Sequence, residues 1–304
     1  MINKIYDFWN WKKWQVSWSL ANIPEKNSDK NLLLIHGFGA SKNHWRYNQD
    51  FLGKKSNCFA IDLLGFGESS QPRALLDYES PQINSTKYCF DLWGEQIADF
   101  CNEKIKSPVI LVGNSIGGIV ALRAAQILKA NCAGIILIDC AQRTMDDKRL
   151  KKNDILMNFL RPLIKTCVRN RLISNTIFKR AANRKIIKEI LKKAYPSGQN
   201  IDEQLIDILY QPSQRKNSSE AFRGFINLFD DYLATDLFKV VKKDIHLIWG
   251  EKDPWESLDE AKQWKNEFKN VQSLNIIKNA GHCPHDENPD ETNQLILQII
   301  QEIK

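Results

Sequence analysis

The sequence has no run of about eighteen uninterrupted apolar residues, which excludes a membrane-spanning helix. Its opening residues, Met1-Ile-Asn-Lys-Ile-Tyr-Asp-Phe-Trp-Asn-Trp, lack the apolar core of a secretory signal. The seven cysteines, at 58, 89, 101, 132, 140, 167 and 283, are odd in number and never form a C-x-x-C pair. That scatter offers neither a disulfide framework nor a zinc site, and it suits a reducing compartment. The expected location is therefore cytoplasmic, and no metal or organic cofactor is expected. Internal repeats and low-complexity tracts are also missing. Acidic residues are scarce in one region: residues 148–193 hold fifteen Lys or Arg against Asp154 and Glu189 alone. Since the whole chain carries +7, everything outside that block sums to a net negative charge. A basic block on a mildly acidic body predicts either peripheral contact with an anionic membrane or a heavily solvated face, and no nucleic-acid partner.

With 304 residues, 43% apolar and 26% charged, the chain is an ordinary soluble length for one large α/β domain. Short apolar runs read as buried strands: Leu32–Ile35, Cys58–Asp62, Val109–Gly113, Ala133–Asp139, Ile245–Trp249 and Ser273–Ile277. Trp14 to Leu20 alternates like a half-buried strand, and Asp91–Ile105 is helical by periodicity. Strands alternating with helices predict βαβ units in a mostly parallel sheet flanked by helices. From 141 to 240 no buried strand is evident, and helices are predicted at roughly 147–168, 172–194, 200–211 and 217–229. Residues 1–140 and 241–304 are accordingly read as the core, with 141–240 as an inserted helical lid.

The organising stretch is Gly113-Asn114-Ser115-Ile116-Gly117, a G-x-S-x-G pentapeptide between a buried strand and an apolar helix. That context marks a nucleophile elbow, in which a strained turn lifts a serine hydroxyl above the sheet. Three other segments follow strands at the same sheet edge, where open α/β sheets place their sites. His36-Gly-Phe-Gly39 offers the Phe38 N–H to pair with that of Ile116 as an oxyanion hole. Gly250-Glu-Lys-Asp-Pro254 carries Asp253, and Asn279-Ala-Gly-His-Cys-Pro-His285 carries two histidines. Ser115, Asp253 and His282 then stand in the order nucleophile, acid, base. The chemistry requires such a set, because a serine hydroxyl is a weak nucleophile until an oriented neutral imidazole takes its proton. His285 is the alternative base or a substrate contact, and Asp139 the alternative acid. Trp255 and the lid residues Leu156, Phe159, Leu160 and Leu163 are expected to wall an apolar pocket suited to a long hydrocarbon chain. Pro162 is expected to kink or split the first lid helix.

The segments LLLIHGFGAS, FAIDLLGFGESSQP, GNSIGG, GEKDPW and NAGHCPHDENP resemble the serine-esterase branch of the α/β-hydrolase fold over nearly the whole chain. Asn114 before the serine, Pro254-Trp255 after the acid and the GHCPHDENP run are similar to the pheophytinase and chlorophyll-dephytylase group, which cleaves the phytyl ester of chlorophyll-type pigments. The resemblance implies Ser115, Asp253 and His282 as the triad, Phe38 and Ile116 as oxyanion donors, and a small hydrophobic ester as substrate. Without a transit segment at Met1, a pigment esterase of this kind would be a bacterial-type cytoplasmic protein. The same triad also serves lipases and acyl hydrolases, carbon–carbon bond hydrolases and cofactor-free haloperoxidases, and a non-catalytic receptor can keep the fold. Serine at the elbow excludes the carboxylate nucleophile of epoxide hydrolases and dehalogenases.

Overall fold

The computed structural model describes residues 2–24, 29–149 and 155–303, with the side chains of 155–159 left out. Eight strands form one sheet: β1 Asn3–Trp11, β2 Trp14–Asn22, β3 Asn31–Ile35, β4 Asn57–Ile61, β5 Val109–Asn114, β6 Cys132–Ile138, β7 Ile245–Gly250 and β8 Val271–Ile277. Their order across the sheet is β1-β2-β4-β3-β5-β6-β7-β8. β1 pairs antiparallel with β2, and β2 antiparallel with β4; every other pairing in this sheet is parallel. The unbroken apolar runs of β3, β5 and β6 follow from burial on both faces. Successive side chains point to opposite sides. Leu33, Ile35, Leu111, Ile135 and Leu137 enter the core on one face. Leu32, Leu34, Ile110, Val112, Ile136 and Ile138 enter that on the other.

Helices α1 Phe90–Phe100 and α2 Ile116–Leu128 cover the first face. After β6 the chain forms α3 Ile155–Arg169, α4 Arg171–Ala181, α5 Arg184–Ala194, α6 Glu203–Ser213, α7 Ser218–Ile226 and α8 Ala234–Phe238 before returning to β7. Towards the end of the chain lie α9 Leu258–Glu267, a short turn of helix at Pro284–Glu287 and α10 Pro289–Glu302, and Ile296, Ile299 and Ile300 of α10 pack on the second face. Among the described residues no helix is long and apolar enough to cross a membrane.

One expectation is corrected. The stretch 172–194 is two helices, because Asn170 and Asn183 each start one: the Asn170 side chain accepts from the Leu172 and Ile173 N–H groups, and that of Asn183 from Lys185 N–H. Of the two outcomes expected at Pro162, the split does not occur, since α3 is continuous through it. Strand β1, unmarked by alternation, forms the sheet edge and is largely exposed, with Trp9 and Trp11 anchoring it by indole N–H bonds of 2.8 Å to Glu103 and Asp99.

Candidate active site

The turn between β5 and α2 holds Ser115 at φ 55°, ψ −123°. Such a conformation costs a non-glycine residue on the order of 1–3 kcal/mol and persists only when its surroundings enforce it. Here the Ser115 N–H donates to Ile138 O at 3.0 Å, and Ser115 O accepts from Gly118 N–H at 3.0 Å and Ala141 N–H at 3.1 Å. The flanking glycines are contact requirements. A Cβ on Gly113 would lie 2.2 Å from Gly117 O, and one on Gly117 would lie 2.4 Å from Ile35 O.

The His36–Gly39 turn presses against this elbow, since a Cβ on Gly37 would stand 3.1 Å from Ser115 Cβ. His36 fixes the turn from below: Nε2 accepts from Leu63 N–H at 3.0 Å, so Nδ1 carries the proton donated to Gly37 O at 2.7 Å. Ile116 is the first residue of α2, where an N–H has no intrahelical acceptor. Neither it nor the Phe38 N–H has a hydrogen-bond partner among the described residues, and both residues border one cavity. The Ile116 N–H at the helix N-terminus, with the Phe38 N–H beside it in the turn after β3, favours developing negative charge.

His282 Nδ1 stands 2.8 Å from Asp253 Oδ2. Asp253 Oδ1 accepts from the N–H groups of Trp255, at 2.9 Å, and Glu256, at 3.2 Å. Burial alone would push the Asp253 carboxyl up, but the His282 bond and charge, with the Trp255 N–H, hold it below the usual range. The Trp255 ring meets His282 edge-on at 4.8 Å.

Asp139, following β6, is fully buried, and its Oδ1 accepts from Gly250 N–H at 2.9 Å. Oδ2 meets no donor among the described residues, and Asp253 is the acid that acts on this carboxyl. Burial and the Asp253 charge hold Asp139 far above the ordinary carboxyl range. The two carboxyls are thus driven in opposite directions, and Asp253 is the one that faces the imidazole. Nearby Glu256 is pushed up to about 7 by burial, against an opposing bond from Gln142 N–H.

His285, the alternative base, lies elsewhere. It is 1% exposed, with its ring 4.3 Å from that of Trp45 and 4.8 Å from that of His44, and it does not border the cavity. Two contributors, His44 and Tyr195, escaped the sequence reading, and the structure gives Asn114 of the GNSIGG motif a specific part. Asn114 donates to Ile138 O at 3.2 Å and His282 O at 3.1 Å, tying the elbow to the histidine loop. His44 and Tyr195 are bonded at 2.9 Å in the cavity wall, and the Tyr195 hydroxyl donates to Asp286 at 3.0 Å. Asn114 was visible inside the GNSIGG motif; His44 and Tyr195 carry no local signal.

The cavity has a volume of about 380 Å³ and brings together Phe38, Ser115, Ile116, Trp255 and His282. Its roof is Ile190, Leu191, Ala194, Leu209 and Phe225, from α5, α6 and α7. The expected α3 wall is corrected in part. The side chains of Leu156 and Phe159 lie outside the described residues, while Leu160 and Leu163 are exposed and do not border the cavity. The reason is Arg161, which turns inward to Asp147 at 2.6 Å and lies over the Phe229 ring, aiming the leucines outward. Among the described residues no group of three or more His, Cys, Asp or Glu is placed to hold a metal.

Residues 32–295 match the profile of the alpha/beta hydrolase family. The chain belongs to that family. Pheophytinase of Arabidopsis thaliana is 25% identical over 299 residues, covering 90% of this chain and 61% of its own length. Epoxide hydrolase 3 of Xenopus tropicalis is 25% identical over 287 residues, covering 89% of this hydrolase and 71% of its own length. Among solved structures, a serine hydrolase involved in carbazole degradation superposes with a TM-score of 0.75 at 18% identity over 99% of this chain and all of its own. An esterase from Thermogutta terrifontis superposes with a TM-score of 0.70 at 19% identity, covering 99% of both chains. These likenesses place the chain among hydrolases with esterase and epoxide hydrolase relatives.

Proposed function

We propose that this alpha/beta hydrolase cleaves the carboxylic ester of a hydrophobic substrate through an acyl-enzyme on Ser115. The observation that carries the proposal is the His282 Nδ1–Asp253 Oδ2 bond of 2.8 Å in a histidine that borders the same cavity as Ser115. With Nδ1 committed to Asp253, Nε2 is the nitrogen left to take the Ser115 proton. The Ser115 Oγ attacks the ester carbonyl carbon while His282 Nε2 accepts its proton. The carbonyl oxygen becomes an oxyanion held by the Phe38 and Ile116 N–H groups. His282 then protonates the departing alkoxide, and a water activated by the same nitrogen releases the acid. The helices between β6 and β7 act as the lid, and Trp255 orients the imidazole face.

The apolar roof supports a hydrocarbon chain as the buried part of the substrate. A 380 Å³ cavity lies at the low end for small-molecule sites. It accommodates a chain and leaves a bulkier group at the mouth, where Ile190 is 43% exposed. A phytyl ester of a chlorophyll-type pigment fits that division, and the similarity to pheophytinase makes it the substrate to test first. The experiment is hydrolysis of a panel holding short p-nitrophenyl esters, long-chain p-nitrophenyl esters, monoacylglycerols and pheophytin. Turnover confined to long-chain or phytyl esters supports the reading. A preference for acetate esters overturns it.

A further inference from the structure

The helices that roof the cavity expose more apolar surface than their packing uses. In α5, Ile187, Leu191 and Ala194 are buried, while Ile186 and Ile190 continue the apolar arc into solvent at 43% exposure each. In α4, Leu172 is 77% exposed, and Ile173 and Ile177, one turn apart, are 40% and 43% exposed. Leu163 of α3 is 57% exposed. α3 packs on α4 and α4 on α5, so the helices that carry these exposed side chains are consecutive neighbours. Ile190 is both part of this exposed set and a border of the cavity.

The same helices are basic. Residues 160–193 hold eleven Lys or Arg and one acid, Glu189. Some of that charge is internal: Arg161 and Lys165 bind Asp147, Arg171 binds Glu220, and Arg184 binds Glu203 and Asp207. Lys179, Arg180 and Lys193 are exposed and make no ion pair among the described residues. Exposed isoleucines and leucines set among free cations match the two components of interfacial binding, apolar insertion and attraction to anionic headgroups.

We propose that these helices dock on an anionic lipid surface and set the cavity mouth at Ile190 against it, resting on the reading of the substrate as lipid-soluble. Docking needs no swing of α5. The helix is clamped at its C-terminal end, where Ala194 O accepts from His282 N–H at 2.9 Å and Tyr195 bonds His44 and Asp286. The surface delivers substrate to a mouth already facing it.

Co-sedimentation with phosphatidylcholine vesicles, with and without phosphatidylglycerol, tests the proposal. The protein is expected to bind only the anionic vesicles and to lose binding as salt rises. Each basic residue near the membrane contributes roughly fivefold, so the combined Lys179→Glu, Arg180→Glu and Lys193→Glu variant should bind about a hundredfold more weakly or worse. A separate Leu172→Ser, Ile173→Ser, Ile177→Ser variant should also lose vesicle binding. None of these residues borders the cavity, so hydrolysis of a water-soluble ester should stay at the wild-type rate in both variants. Equal indifference of the wild type to both vesicle types, or binding that neither variant weakens, overturns the proposal. So does a dimer that the serine variant dissociates with no vesicle binding, which would assign the face to a second copy. Vesicle binding with the expected pattern, in a protein that hydrolyses no ester, would support docking and sink the hydrolase reading alone.

Discussion

The Asp139–Asp253 pair decides which carboxylate serves His282. Burial and the Asp253 charge both disfavour ionising Asp139. The Gly250 N–H supports Asp139 at one oxygen only, whereas Asp253 has two N–H donors and the imidazole. Asp139, held well above the ordinary carboxyl range by burial, is suited to keep its proton beside Asp253. Asn at this position keeps both a donor and an acceptor, while Ala leaves the Gly250 N–H unpaired. Asp139→Ala should cost about 1–3 kcal/mol of stability and lower kcat. Asp139→Asn should retain most of both, read by urea unfolding and steady-state kinetics. Equal losses in the two variants would contradict a protonated Asp139. Glu256 gives a pH signature of definite sign. Its folded value of about 7 exceeds the ordinary 4.5, so the native state binds the proton more tightly than the unfolded chain. Its contribution is full below pH 4.5 and is lost as pH rises toward 7. The thermal midpoint of the wild type should therefore fall relative to that of Glu256→Gln between pH 5 and 7. Parallel profiles would show that Glu256 ionises freely.

At the scale of elements, the end of α5 is the joint between the helical insertion and the histidine loop. The Tyr195 hydroxyl sits between His44, whose imidazole is pushed down to about 4 by burial, and Asp286, which also binds Arg46. Tyr195→Phe removes a fully buried hydroxyl and strands its partners. A loss of about 1–3 kcal/mol in urea unfolding is expected, and an unchanged midpoint would mean the joint carries no load. Sequence pattern reached the parallel strands because each is a short apolar run that must be buried on both faces. It reached the elbow because glycine is the only side chain that Gly117 O and Ile35 O leave room for. Long-range partners left no trace in the pattern. The outward turn of Leu160 and Leu163 rests on Arg161 finding Asp147, and the division of 172–194 rests on two local asparagine caps that apolar periodicity does not register. β1 escaped because an edge strand exposed on most positions has no alternation to read.

For the whole molecule, the sheet edge gathers the ends of β3, β5, β6, β7 and β8 beneath a roof of helices, leaving a largely apolar cavity over a polar floor. Each methylene transferred into such a cavity contributes about 0.8 kcal/mol. Across a series of p-nitrophenyl esters, kcat/KM should thus climb by up to about fourfold per added carbon and then level off when the cavity is filled. A flat series would place the chain outside the cavity. The central claim is that Ser115 is an activated nucleophile in this roofed site. Labelling with a fluorophosphonate, followed by peptide mass mapping, tests it most directly. The account predicts a single adduct on Ser115 in the wild type, none in Ser115→Ala, and strongly slowed labelling in His282→Ala. An unlabelled wild type, or an adduct that survives in Ser115→Ala, would contradict it.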